Sequence, residues 1–335
     1  MTTGALQGLL YCGNILIPSL FPFMVLSSFI VKSGIADLIG RFLTPITKKL
    51  FHTNGTVGTI ILLGLTGGFP VGAKGMAELY EKGKVDLETA KAVTMFLVGG
   101  GPGFVVMVVG KSLYGSTTTG LLLWLCQISA QIITGVFACR KIKFSNTNKS
   151  YIKKIPFSTA IVSSTQSGID SIISLCGLVI IFSCIFGIFT DLHIIDFICN
   201  ALTKIKIPKP ISECLLNIIW EVTNGCNTCC DNTAPIWLTS FALGWGGICV
   251  HFQIYSLTSN LKISKLKFTA YRFFQGIITS ILSSIIFYFY TPSKDVYKSI
   301  FQSNIVNSNN YIGSIALIGM CIVFIMCIDN KHKKT

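Results

Sequence analysis

Along this chain, apolar residues gather in long blocks and charged residues in the gaps between them. The stretches 11–31, 92–110, 112–139, 171–190, 232–261, 273–293 and 299–328 contain no Asp, Glu, Lys or Arg. Each is long enough to cross a hydrocarbon core of roughly 30 Å as a helix. Two apolar stretches do not read as simple helices. Residues 57–80 are interrupted by LTGGFPVGAKG at 65–75, and 89–110 by Gly99-Gly100-Gly101-Pro102-Gly103. Each arm of 57–80 is too short to span, so the pattern predicts a re-entrant helical hairpin with broken backbone at its tip. Residues 15–31, 89–110 and 119–139 then supply three crossings, the second of them broken near its centre.

The same order of features returns in the second half. Residues 19–30, SLFPFMVLSSFI, align with 174–185, SLCGLVIIFSCI, and Gly68-Phe69-Pro70 falls on Thr223-Asn224-Gly225. Residues 98–109 match 243–254, and Gln131-Ile132-Ile133-Thr134-Gly135 matches Gln275-Gly276-Ile277-Ile278-Thr279. The charged linker 81–88 has no counterpart of equal length, which accounts for the drop in offset. Three crossings is an odd number, so a second copy must enter the membrane upside down. The predicted fold is an all-α polytopic membrane protein with two inverted repeats, each holding a re-entrant helical hairpin and a broken transmembrane helix. The repeats are placed at 1–139 and 157–290, joined by a basic linker at 140–156. An extra helix and basic tail follow at 291–335.

Charge sharpens this picture. Only 12% of residues are charged, yet the formal net charge is +14. The excess sits in loops: RKIKFSNTNKSYIKK at 140–154, then Lys262, Lys265 and Lys267, then the terminal lysines. That distribution follows the positive-inside rule and argues against a nucleic-acid partner. Lys204, Lys206 and Lys209 fall on the opposite side and fit it less well. The thirteen cysteines mostly stand singly in apolar runs and read as small buried hydrophobes. No cleavable signal peptide is expected at the start of this chain.

The interruption at 65–75 raises a phosphate-loop alternative. That motif needs Ser or Thr after its lysine, and Gly75 follows Lys74. Broken backbone in a membrane is tolerated where it is buried in protein or lines a cavity. Paired broken helices in inverted repeats point to a secondary transporter with its site near the midplane. No nucleophile elbow, HExxH motif or carboxylate pair suggests an enzyme, and no cofactor is implied.

GGFPVGAKGMAEL, EVTNGC and GWGGICVHFQ together resemble the YlbJ-type sporulation integral membrane proteins. These are part of the wider group with nucleoside recognition, or Gate, domains. The likeness runs from about Ser19 to Tyr290. It implies hairpin-plus-broken-helix repeats similar to those of concentrative nucleoside transporters. It also implies transport of a small organic anion, dipicolinate, across a sporangial membrane, the outer forespore membrane being one candidate. The family's polar segment before the first break is replaced here by FLVGGGPG at 96–103, a departure that bears on the ligand.

Candidate substrate contacts are Gly68, Phe69, Pro70, Gly72 and Lys74 at the first hairpin, and Gly101 and Pro102 at the first break. Thr223, Asn224 and Gly225 at the second hairpin join them, as do His251 and Gln253 after the second break. Freed helix N-terminal amides suit an anion. Lys74 is either a cation for a carboxylate or a snorkelling side chain. Glu221, Asn227 and Glu78 are candidates for a coupling cation, with a structural Glu221 and a plain Lys74–Glu78 helix pair as the alternatives. Asp231 is expected to cap the helix that follows it. Cys226, Cys229, Cys230 and His251 have only superficial zinc spacing, and no metal is expected. The competing functions are a carrier of nucleosides or another small solute, and a non-transporting assembly or signalling protein of sporulation.

Overall fold

The computed structural model describes residues 2–142 and 156–290. Residues 143–155 of the basic linker, and the C-terminal helix and tail expected at 291–335, lie outside the described residues. Among the described residues the regular structure is helical, without a strand.

Helix α1 (Thr2–Tyr11) passes through a π-wound turn at Cys12–Leu16 into α2 (Ile17–Ser33), which ends at Gly34. The amphipathic α3 (Ile35–Phe51) follows. Asn54 opens α4 (Gly55–Gly67): its side-chain oxygen accepts from the Val57 amide at 3.0 Å. α5 spans Phe69–Glu81. Asp86 caps α6 (Leu87–Phe96), accepting from the Thr89 amide at 2.9 Å. Helical winding then stops and resumes as a π-wound segment, Gly103–Leu113. Ser116 caps α7 (Thr117–Cys139). The second half runs α8 (Phe157–Asp191), α9 (Ile194–Lys204), α10 (Lys209–Trp220) and α11 (Val222–Asp231). It continues with α12 (Ile236–Trp245), α13 (Gly247–Leu257), a 3₁₀ turn at Ser259–Leu261, and α14 (Lys265–Phe289).

Among the described residues, four helical stretches are long and apolar enough to cross a membrane: Gly4–Ser33, Thr117–Cys139, Phe157–Asp191 and Lys265–Phe289. The uncharged runs 92–110 and 232–261 are not continuous helices. The first is α6, an unwound stretch and the π-wound segment; the second is α12 and α13, parted at Gly246. α4 and α5, of 13 residues each, reach about 20 Å at 1.5 Å per residue, well short of the core thickness. α10 and α11, with 12 and 10 residues, are shorter still. Each pair packs on itself as a hairpin. The protein is thus an integral, multi-pass membrane protein.

α1 and α2 pack along α8, α3 covers α4, and α7 packs on both the π-wound segment and α14. α12 lies along α14, and α5 touches α2 and α13. The outward faces of the spans are apolar. Leu121 and Leu125 on α7, Ile173 and Ile181 on α8, and Ile281 and Ile285 on α14 are all exposed, as a lipid-facing surface requires.

Asp231 does not cap the next helix. It is the last residue of α11, and its carboxylate accepts from Asn227 Nδ2 at 2.9 Å. Pro235 occupies the cap position of α12, and no side chain bonds there. The intervening residues 232–234 close α11, their amides donating to the Thr228, Cys230 and Cys229 oxygens, so Asp231 ends one helix and does not begin the next.

Candidate functional site

At the tip of the first hairpin, Gly68 has φ of +99°, a conformation that favours glycine. Pro70 follows in the first turn of α5, where its missing N–H leaves no bond unmade. A Cβ on Gly101, at the first break, would lie 3.1 Å from the Gly68 nitrogen and 3.2 Å from the Thr66 oxygen. Backbone therefore rests on backbone where the first tip meets the first break.

The second tip meets the second break in the same way. Glu221 is extended, ends α10 and caps α11 by accepting from the Asn224 amide at 2.9 Å. Gly247, with φ of +79°, sits against it. A Cβ on Gly247 would fall 2.8 Å from the Glu221 Cα and 3.0 Å from the Trp220 oxygen.

These four elements enclose one small cavity of about 40 Å³. Gly68 and Phe69 line it from the first tip and Gly101 from the first break. Glu221 and Val222 line it from the second tip, and Val250 and Gln253 from beyond the second break. Tyr11 from α1, Ile15 and Leu16 from the π-wound turn, and Ser19 and Leu20 from α2 line it too, with Phe104 and Val179 completing the wall. Five of the residues singled out in the sequence are brought together here: Gly68, Phe69, Gly101, Glu221 and Gln253.

The others stand off. Thr223 is linked to the cavity at one remove, its hydroxyl donating to the Tyr11 hydroxyl at 2.8 Å. Asn224 is exposed, and Gly225 packs α11 onto Ile218. Asn227 bonds Asp231. Pro70 and Gly72 are buried in α5, where a Cβ on Gly72 would meet the Leu97 oxygen at 2.9 Å. Pro102 starts the π-wound segment. Lys74 is 4% exposed and points to α8. Its Nζ donates to the Ser167 oxygen at 2.6 Å and to Ser171 Oγ at 2.8 Å. It also lies 3.9 Å from Glu78 Oε1, which accepts from Ser167 Oγ. This is a buried charge pair away from the cavity.

His251 is buried, its Nδ1 2.7 Å from the Gly247 oxygen and its ring 4.5 Å from that of Trp245. With the proton placed on Nδ1 by that carbonyl, Nε2 is left as a buried acceptor without a partner among the described residues.

Sequence reading passed over a polar layer behind the cavity. α7 sends in Gln127, whose Nε2 donates to the Gly100 oxygen at 2.9 Å. α14 sends in Arg272 and Gln275, both fully buried. Arg272 Nη1 donates to the Val98 oxygen and to Gln275 Oε1, and Nε donates to the Trp245 oxygen at 3.2 Å. One guanidinium thereby holds carbonyls freed at both helix breaks. The available signal was a buried polar stripe, Arg272, Gln275, Thr279 and Ser283 on α14, at helical spacing through an otherwise apolar helix. Arg272 immediately precedes the uncharged run 273–293, so it read as the edge of a span.

Comparison with known proteins agrees with a membrane protein. Residues 15–117 match the Gate family model, described as nucleoside recognition. That segment contains the first hairpin and first break. The sporulation integral membrane protein YlbJ of Bacillus subtilis is 22% identical over 326 residues, covering 88% of this chain and 80% of its own length. The resemblance carried by the GGFPVGAKGMAEL, EVTNGC and GWGGICVHFQ segments therefore holds across most of the chain. No solved structure matches significantly.

Proposed function

We propose that this chain is a secondary-type carrier that holds a small organic anion between its two hairpin tips and two helix breaks. Dipicolinate is the substrate we favour. One observation carries the reading: Gly68, Gly101, Glu221 and the segment after Gly247 converge on one cavity. Discontinuous helices that meet near the midplane are how membrane carriers expose backbone groups to a solute. In this reading the two halves are inverted repeats and both hairpins are re-entrant. α7 and α14 form part of a scaffold against which the hairpins move.

Size requires that motion. A cavity of about 40 Å³ holds a few waters and is too small for an aromatic dicarboxylate, so the tips must part to admit one. Glu221 stands as the candidate site for a coupling cation, since it is the acidic residue that lines the cavity. A nucleoside is the second reading. It is favoured by the family description and by the amides of Gln253 and Gln127 near the site.

Uptake of labelled dipicolinate into proteoliposomes, under imposed proton or sodium gradients, tests the proposal. Saturable uptake lost in Glu221→Gln is expected. Absence of uptake by folded wild-type protein under either gradient refutes it. Saturable uptake of a labelled nucleoside that unlabelled dipicolinate does not inhibit moves the assignment to the second reading.

A further inference from the structure

Arg272 presents a charge problem that the fold leaves open. Its side chain is 0% exposed, on a helix read as crossing the membrane. Arginine remains charged in proteins, and a charge buried at membrane depth is costly unless paired. Three of its N–H groups are satisfied by the Trp245 and Val98 oxygens and Gln275 Oε1. All three acceptors are neutral. Among the described residues no acidic side chain forms an ion pair with it, and its Nη2 has no hydrogen-bond partner. Two strong donors therefore remain unspent on a fully buried cation.

Geometry shows where those donors stand. Gly246 parts α12 from α13 with φ of +85°. The position its Cβ would take lies 3.3 Å from Arg272 Nη2, 3.4 Å from Phe69 Cε1 and 3.4 Å from Val250 Cβ. Phe69 and Val250 both line the cavity. A single missing methyl group thus separates the unspent donors from two of the cavity's own walls. His251, four residues after Gly247, adds a second buried polar atom without a partner, its Nε2.

We infer that Arg272 is the anion-recognising group of this site, and that its Nη2 edge receives a carboxylate of a small organic acid once the tips part. The guanidinium's planar fork matches a carboxylate. The incoming anion supplies the counter-charge that the protein itself withholds, so a neutral solute of the same shape is disfavoured. Lys74, already committed to Ser167, Ser171 and Glu78, is not that group. The inference deepens the carrier proposal by naming the contact that reads charge, and its binding test does not require transport.

The test is equilibrium binding to the purified full chain with two probes, dipicolinate and its neutral diamide. Wild type is expected to prefer the diacid. In Arg272→Gln the diacid should weaken by about tenfold to a hundredfold, the loss of a charge-assisted hydrogen bond, while diamide binding holds. A merely structural arginine would weaken both probes together. Arg272→Lys, which keeps the charge without the fork, should keep part of the preference and serves if Arg272→Gln does not fold. Wild type that binds the diamide as tightly as the diacid, or binds neither, overturns the inference whatever the variants do. Arg272-dependent binding without any uptake would uphold the site and sink the carrier. Saturable uptake with an unchanged acid-to-amide ratio in Arg272→Gln would do the reverse.

Discussion

Replacing Gly247 by Ala probes the contact between the second tip and the second break. Two costs arise at that position. The residue has φ of +79°, and a left-handed conformation costs an L-residue about 1–2 kcal/mol. The new methyl would also stand 2.8 Å from the Glu221 Cα, 2.9 Å from its nitrogen and 3.0 Å from the Trp220 oxygen. Ordinary contact begins near 3.4 Å, so the two backbones must separate by about half an ångström. Backbone cannot turn aside as a side chain does, and overpacking of this kind costs about 1–3 kcal/mol. The sum is about 2–5 kcal/mol. Gly34→Ala isolates the first cost, since Gly34 has φ of +81° and nothing within 4 Å of its Cβ position. Gly177→Ala in α8 meets neither cost: its φ is not in the left-handed range and nothing lies within 4 Å. At about 1.4 °C per kcal/mol for a chain of this size, thermal unfolding in detergent should fall by about 1.5–3 °C for Gly34→Ala and about 3–7 °C for Gly247→Ala. Gly177→Ala should show no loss. Uptake should drop in Gly247→Ala alone. Equal melting of Gly247→Ala and Gly34→Ala would refute the claim that tip and break press on each other.

Two further outcomes follow from the same structure. Lys74→Ala strands the Glu78 carboxylate, which is 9% exposed, and should destabilise by about 3 kcal/mol or somewhat more. Lys74→Met combined with Glu78→Gln should recover much of that in the same melting assay, whereas unchanged stability with weakened solute binding would return Lys74 to the site. Asp86→Ala removes the α6 cap, which bonds both the Thr89 amide at 2.9 Å and the Thr89 hydroxyl at 2.8 Å. It should cost about 1 kcal/mol and leave substrate affinity unchanged when both are measured on one preparation.

Much of the fold was legible because a membrane imposes a simple rule on sequence. Long uncharged runs mark spans, and glycine–proline clusters mark where winding stops. The break at Gly99–Gly103 and the tip at Gly68 were readable for that reason. The second tip was legible at Glu221–Gly225, but its register against the first was not. Sequence matching set Gly68 against Thr223, whereas the residue that caps the returning helix is Glu221, two positions earlier. Gly68 caps its helix with a positive φ and Glu221 caps its own with an extended one, so the two caps differ in conformation. A pattern of residue types does not register that difference.

The site was less legible because direction is not written in spacing. Lys74 lies in the tip motif, yet a helix turn and a half past Gly68 carries it round to α8. Arg272 lies far in sequence from both tips and from the first break, yet α14 passes behind both breaks and brings it there. Tyr11 and Ser19 line the cavity because α1 and α2 seal its open side, a tertiary fact with no local signal.

The most direct test of the central claim is photolabelling with an azido derivative of dipicolinate on the reconstituted full chain, followed by peptide mapping. The account predicts labels on cavity residues such as Tyr11, Ser19, Phe69 and Gln253, all suppressed by unlabelled dipicolinate. Labels confined to the outward faces of α8 and α14, or cavity labels that unlabelled dipicolinate does not suppress, would contradict it.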